Sequence, residues 1–145
     1  AAERMRAARR AIDRSGGDTL LVGRAECFLV GRPDLDETIT RLKRYADAGA
    51  DCLYAPGLKT REQIAAVVQA VAPKPFNLLV SAPGQLSFED IAALGVRRIS
   101  VGGALARSAW GGFLRASRLL AQGSFDGLAD AASGQELNAF FSARR

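Results

Sequence analysis

Gly102 and Gly103 stand where a short apolar strand runs into a helix, in the stretch GVRRISVGGALARSAWGGF of residues 95–113. Two residues without side chains let backbone N–H groups at a helix N-terminus approach a phosphate or carboxylate closely. They equally suit a tight turn, or a close approach of strand and helix backbones, because glycine tolerates conformations other residues avoid. Both readings stand at this level. The chain has no histidine, which removes Ser-His-Asp and Cys-His nucleophilic chemistry and the usual zinc sites. Acid–base work falls to carboxylates, Lys or Tyr, or to groups from another chain. Cys27 and Cys52 are too few for a disulfide framework and read as free thiols.

The elements that must position any such chemistry repeat four times from residue 19 onward. TLLVGRAECF reads as a strand, followed by a loop with Gly31 and Pro33. A helix over DETITRLKRYADAGA then places Leu35, Ile39, Leu42 and Ala46 at helical spacing. The strand DCLYAPG leads to a helix opened by Thr60, with Gln63 three residues on completing a capping box. That helix is expected to bury Ile64, Val67, Val68 and Val71. PFNLLVSAPG is the third strand, before a helix capped by Ser87 and ended at Gly95. VRRISVGG is the fourth, before a long helix to about Gly123. Strands alternating with helices imply a parallel sheet with right-handed crossovers. Turn residues gather after each strand, where an α/β barrel keeps its working face. The fold class is therefore α/β: four βα units, half of an eight-stranded barrel, over residues 1–123, with a helical extension over 124–145. Four such strands alone expose two edges and an apolar face. No Gly-rich dinucleotide loop supports a doubly wound sheet. The missing half is expected from a second chain or from residues absent here, and the opening inside a helical pattern favours an incomplete chain.

Composition sets the outer bounds. The chain has 145 residues, 48% hydrophobic and 24% charged, which points to one soluble globular domain. No apolar run approaches the roughly 18 residues of a membrane span, and no signal peptide is visible, so a cytoplasmic protein is expected. The net charge of +5 comes largely from Arg4, Arg6, Arg9, Arg10 and Arg14 on one helix and from Arg144 and Arg145 at the tail. No aromatic residues interleave with them as a nucleic-acid stacking platform needs. They read as a solvated face, and no specific nucleic-acid or membrane partner is expected.

The run from VGRAECFLVGRPDLDETITRLKRYADAGADCLYAPGL to ALGVRRISVGGALARSA closely resembles the isocitrate lyase/phosphoenolpyruvate mutase family, and above all its phosphonomutase-like members. The resemblance covers about residues 3 to 125 and corresponds to the C-terminal half of that family's barrel. It implies a Mg²⁺-dependent enzyme that handles a small α-keto or hydroxy acid through an enolate-like intermediate. The family's metal-binding carboxylates and its Lys-Cys-Gly loop belong to the N-terminal half. Here there is no Lys-Cys pair, and the only lysines are Lys43, Lys59 and Lys74. The catalytic groups and direct metal ligands are thus expected outside this chain.

Arg24 is the strongest correspondence. Gly23-Arg24-Ala25-Glu26 stands where the family has Ala-Arg-Thr-Asp, whose Arg binds the substrate's carboxylate or phosphonate. A planar guanidinium suits that task through two parallel charge-assisted hydrogen bonds. Glu26 takes the Asp position, one methylene longer, and would orient Arg24 or a metal-bound water; the alternative is a structural ion pair at the barrel mouth. Pro56 replaces a Glu that lyase members carry, and Leu79 falls at a substrate-contacting Asn, with Ser81 for Thr. These departures argue against isocitrate or methylisocitrate cleavage. Asn77 faces either the barrel interior as a ligand contact or a buried hydrogen bond. The expected substrate-binding set is Arg24, Glu26, Asn77, Ser81, Ser100, Gly102 and Gly103.

In this family the last helix commonly swaps onto a neighbouring barrel. Leu137, Phe140 and Phe141 on one side of the tail helix therefore imply a homo-oligomer. Two functions follow as expectations: a Mg²⁺-dependent lyase or phosphonomutase-like enzyme, or a non-catalytic half-barrel that pairs with another chain or binds a small acid.

Overall fold

Four short strands carry the architecture: β1 (Val22–Arg24), β2 (Cys52–Tyr54), β3 (Phe76–Leu79) and β4 (Arg98–Ser100). They pair in parallel in the order β1-β2-β3-β4. This is the order in which an α/β barrel lays down its strands, with no switch point of a doubly wound sheet. The computed structural model describes residues 1–84 and 86–143; Arg144 and Arg145 lie outside them. The chain divides into two compact units, Ala1–Gly102 and Gly103–Arg145, with the break at the glycine pair.

In the first unit the helices are α1 (Ala2–Ser15), α2 (Leu35–Asp47), α3 (Arg61–Val71) and α4 (Phe88–Ala93). Their starts follow from local chemistry. The Asp34 carboxylate accepts from the Glu37 N–H, and both Thr60 with Gln63 and Ser87 with Asp90 form capping boxes. Each satisfies backbone donors that a helix N-terminus otherwise leaves unpaired. Strand β1 is much shorter than the apolar run around it, because the chain turns after Ala25: Leu29 and Val30 N–H both donate to the Glu26 carbonyl.

Period-2 alternation divides the sheet into two faces. Gly23, Leu53 and Phe76 share one row, with Leu78 beside Ile99 in the same orientation. This face packs on Leu42 and Tyr45 of α2, Ile64, Val67 and Val71 of α3, and Ile91 of α4, which form one core. Val68 is only partly buried against it. Met5 brings α1 onto the same core. Arg9 leaves the expected solvated face: its guanidinium donates to Asp51 at 2.8 Å, and the same carboxylate accepts from the Leu21 N–H at the entry to β1.

The second unit contains α5 (Ala104–Ala121), a 3-10 turn at Asp126–Leu128 and α6 (Gly134–Ser142). The turn packs against α5, where a Cβ at Gly127 would come within 2.7 Å of the Ala116 Cα. Ser133 and Glu136 cap α6 with a further capping box. This unit exposes Trp110, Phe113, Leu137, Phe140 and Phe141. Among the described residues no helix is long and apolar enough to cross a membrane.

Candidate functional site

The face of the sheet turned away from the helices is polar along one whole row. Pairing aligns Arg24 with Tyr54, Tyr54 with Asn77, and Asn77 with Arg98, one residue from each strand. Leu79 and Ser100 form the next row of the same face, toward the C-terminal ends of their strands. In a barrel this is the interior, which is ordinarily filled by Val, Ile and Leu.

Arg24 is the last residue of β1, half exposed, and its Nε forms an ion pair with Glu26 two residues on. The guanidinium also lies over the Tyr54 ring, 5.0 Å from its centroid. A cation over an aromatic face is held by the ring's quadrupole. Glu26 and the Tyr54 ring together fix where the Arg24 guanidinium sits at the end of β1.

The second cluster centres on Asn77, which is fully buried. Its Nδ2 donates to Ser100 Oγ at 2.9 Å, and its Oδ1 accepts from Arg98 Nη1 at 2.9 Å. Asn77 and Ser100 are thus joined, as are Arg24 and Glu26, and Tyr54 next to Asn77 connects the two groups in one row. Ser81 lies apart, two residues past β3, in a groove of ≈ 1040 Å³ that Lys59, Arg61, Leu79 and Leu86 also line.

Gly102 adopts φ +54, the left-handed region that favours glycine, and a Cβ there would touch Leu79 Cδ1 at 3.4 Å. Gly103, at φ −84, is the N-cap of α5, and an added Cβ would meet nothing within 4 Å. Turn geometry therefore accounts for the first glycine and not for the second.

Two of these residues escape a reading of the sequence. Tyr54 supports Arg24 only because the register sets them side by side. Arg98 shares its orientation with Ser100, and the one available signal was its parity in the triplet Arg98-Ile99-Ser100. Cys52, on the same face, is buried; desolvation pushes its thiol up, partly offset by the charge of Arg98, so it stays protonated near neutral pH rather than serving as a nucleophile. Both Cys27 and Cys52 are free and buried.

Among the described residues no three His, Cys, Asp or Glu side chains converge to hold a metal ion, and Glu26 is engaged by Arg24. The residues described here do not make a direct Mg²⁺ site.

Known proteins resemble this chain in sequence and in the arrangement of its strands. The chain belongs to the phosphoenolpyruvate phosphomutase family, whose model matches residues 1–121. A protein from Burkholderia cenocepacia J2315, provisionally assigned as a lyase/mutase, superposes with a TM-score of 0.91 at 46% identity, over 99% of this chain and 52% of that one. The 2,3-dimethylmalate lyase of the same superfamily superposes with a TM-score of 0.80 at 27% identity, over 95% of this chain and 49% of that one. A phosphonopyruvate hydrolase solved with oxalate and Mg²⁺ gives 0.65 at 29% identity, over 87% of this chain and 46% of that one. The chain thus spans about half the length of these relatives, which are lyases, mutases and a hydrolase.

Proposed function

We propose that this chain forms the substrate-clamping half of a Mg²⁺-dependent lyase or phosphonomutase-like enzyme acting on a small α-keto or carboxylic acid. Arg24 grips the substrate's carboxylate or phosphonate, Glu26 and Tyr54 fix the guanidinium, and Ser100 contributes a hydrogen bond. Asn77 holds Ser100 from the row beneath and Gly102 forms the turn that follows β4, while Ser81 stays outside this group in its separate groove. The chemistry runs through an enolate-like intermediate. The magnesium ion and the groups that move protons belong to residues outside those described. The observation that carries the reading is Arg24 at the end of β1, half exposed and fixed by Glu26 and the Tyr54 ring. The relative solved with oxalate and Mg²⁺ supports the substrate class. A cytoplasmic homo-oligomer is part of the same proposal, supported by exposed Leu137, Phe140 and Phe141.

Calorimetric titration of the intact protein with oxalate, Mg²⁺ present, tests it. Hydrogen bonds to charged groups contribute about 1.5–3 kcal/mol, so losing even one in Arg24→Ala should weaken binding by about 10- to 100-fold. Equal affinities in the two proteins would overturn the assignment. Arg24-dependent binding without turnover of any small keto acid would instead favour a non-catalytic, acid-binding half-barrel.

A further inference from the structure

The hydrogen bonds around Asn77 contain information about a proton. A guanidinium can only donate, so the group that Asn77 turns toward Arg98 must be its carbonyl oxygen. The amide NH₂ then faces Ser100, 2.9 Å away, and Ser100 Oγ must accept. An amide nitrogen cannot receive the hydroxyl's own proton, so that proton points elsewhere. The assignment of amide O and N, normally open to a flip, is closed here by the chemistry of Arg98.

We infer that Arg98 and Asn77 are positioning residues that hold Ser100 as a hydrogen-bond donor toward an oxyanion bound at the strand ends, in the same site as Arg24. Three observations support this. Asn77 is fully buried with both ends of its amide engaged, so it does not turn over. Among the described residues Ser100 Oγ has no bond other than the one it accepts from Asn77. Ser100 is the last residue of β4, one row beyond Asn77 toward the end of the sheet that Arg24 also occupies, where α/β barrels bind substrate. Arg98 need not touch the ligand. It acts by fixing which way a hydroxyl two residues away presents its hydrogen.

This rests on the function proposed above, and the test separates the two. Oxalate binding, with Mg²⁺ present, is measured by calorimetry on the intact wild-type protein and on Ser100→Ala, Asn77→Asp, the double variant Asn77→Asp/Ser100→Ala, and Arg98→Lys. In the wild-type background Ser100→Ala is expected to weaken oxalate by about tenfold or more, the loss of a hydrogen bond to a charged ligand. An aspartate at position 77 still pairs with Arg98 but has no N–H, so it captures the Ser100 proton. Adding Ser100→Ala to Asn77→Asp should then cost less than twofold, whatever the new negative charge does by itself. Arg98→Lys, which still donates to the amide oxygen, should keep most of the wild-type affinity.

A Ser100→Ala effect that is absent in the wild-type background, or equal in both backgrounds, overturns the inference while leaving Arg24-dependent binding intact. Failure of the wild-type protein to bind oxalate, or binding indifferent to Arg24→Ala, overturns the function and the inference together. Neutron diffraction on the deuterium-exchanged protein reads the same device without any ligand. A deuteron on Ser100 Oγ directed away from Asn77 is expected, and one directed at Asn77 overturns it even if Asn77→Asp fails to fold.

Discussion

Gly23 decides where Arg24 sits, and replacing it by alanine exposes how. A Cβ at Gly23 would lie 2.8 Å from the Tyr45 Cβ, 3.1 Å from a Leu53 methyl and 3.2 Å from the Ala50 Cβ. Two of these neighbours are Cβ atoms fixed by their own backbones, so no rotamer change relieves them. Ordinary contact begins at 3.4 Å, and the shortfall of about 0.6 Å against Tyr45 must be made up by moving β1 away from α2. Tyr45, Ala50 and Leu53 are all buried, so the core resists as a packed solid does. Overpacking of this kind costs about 1–3 kcal/mol. Gly23→Ala should therefore lower the urea midpoint of the protein with an unchanged slope. It should also displace the adjacent Arg24 from Tyr54 by a comparable distance, and misplacing a substrate-holding group by about 1 Å can reduce turnover by about a hundredfold. Gly17→Ala is the control, because the nearest atom to its added methyl is Ser15 Oγ at 3.7 Å; it should stay within about 0.5 kcal/mol of wild type. Equal midpoints for Gly23→Ala and Gly17→Ala would refute the packing argument.

Two further outcomes are expected. Tyr54→Leu removes the ring beneath Arg24 but keeps an apolar side chain; at an exposed site that interaction is worth about 0.5–1 kcal/mol, so KM for a small acid should rise about two- to fivefold with kcat little changed. Asp90, whose carboxyl is held below its ordinary value of 3.8 chiefly by the Ser87 N–H and by Arg61, stabilises the fold above that value and loses this contribution as pH falls through its lowered folded-state value. Asp90→Asn should accordingly lower the melting temperature at neutral pH and flatten part of its decline in acid, as a pH series of thermal melts would show.

The helices were legible because their signals are local. Thr60 with Gln63, and Ser87 as a cap, announce helix starts locally, and the structure forms capping boxes at both places, with Asp90 completing the second. Strand order was legible as well, since βα repeats leave few topologies. Strand length was not: ten apolar-rich residues around Val22 yield three paired ones, because the turn after Ala25 is set by backbone bonds to Glu26 that no side-chain pattern encodes. Arg24 could be singled out from its neighbours in the chain, whereas Tyr54 beneath it lies thirty residues on and depends on register. Gly23 has the same character. Its need for a bare backbone comes from Tyr45 and Ala50 across the core, so it looks no different in sequence from Gly17.

The polar face of the sheet also sets terms for anything that would pack over it. Arg24 and Arg98 lie in one row, which contains no carboxylate; Glu26, two residues past the end of β1, pairs with Arg24. In the half described here Arg98 is exposed, so water shares its charge with the Asn77 carbonyl. Strands that closed over this face would remove that water, and a guanidinium without an anionic partner in such an interior carries a penalty of several kcal/mol. One neutral amide oxygen does not offset it. Any such strands would have to present a carboxylate to Arg98 or leave a hydrated cavity beside it. Arg24 differs, since Glu26 already neutralises it. The two arginines thus share a row but not a balance: Arg24 pairs with the Glu26 carboxylate, whereas Arg98 meets only the neutral Asn77 carbonyl among the described residues.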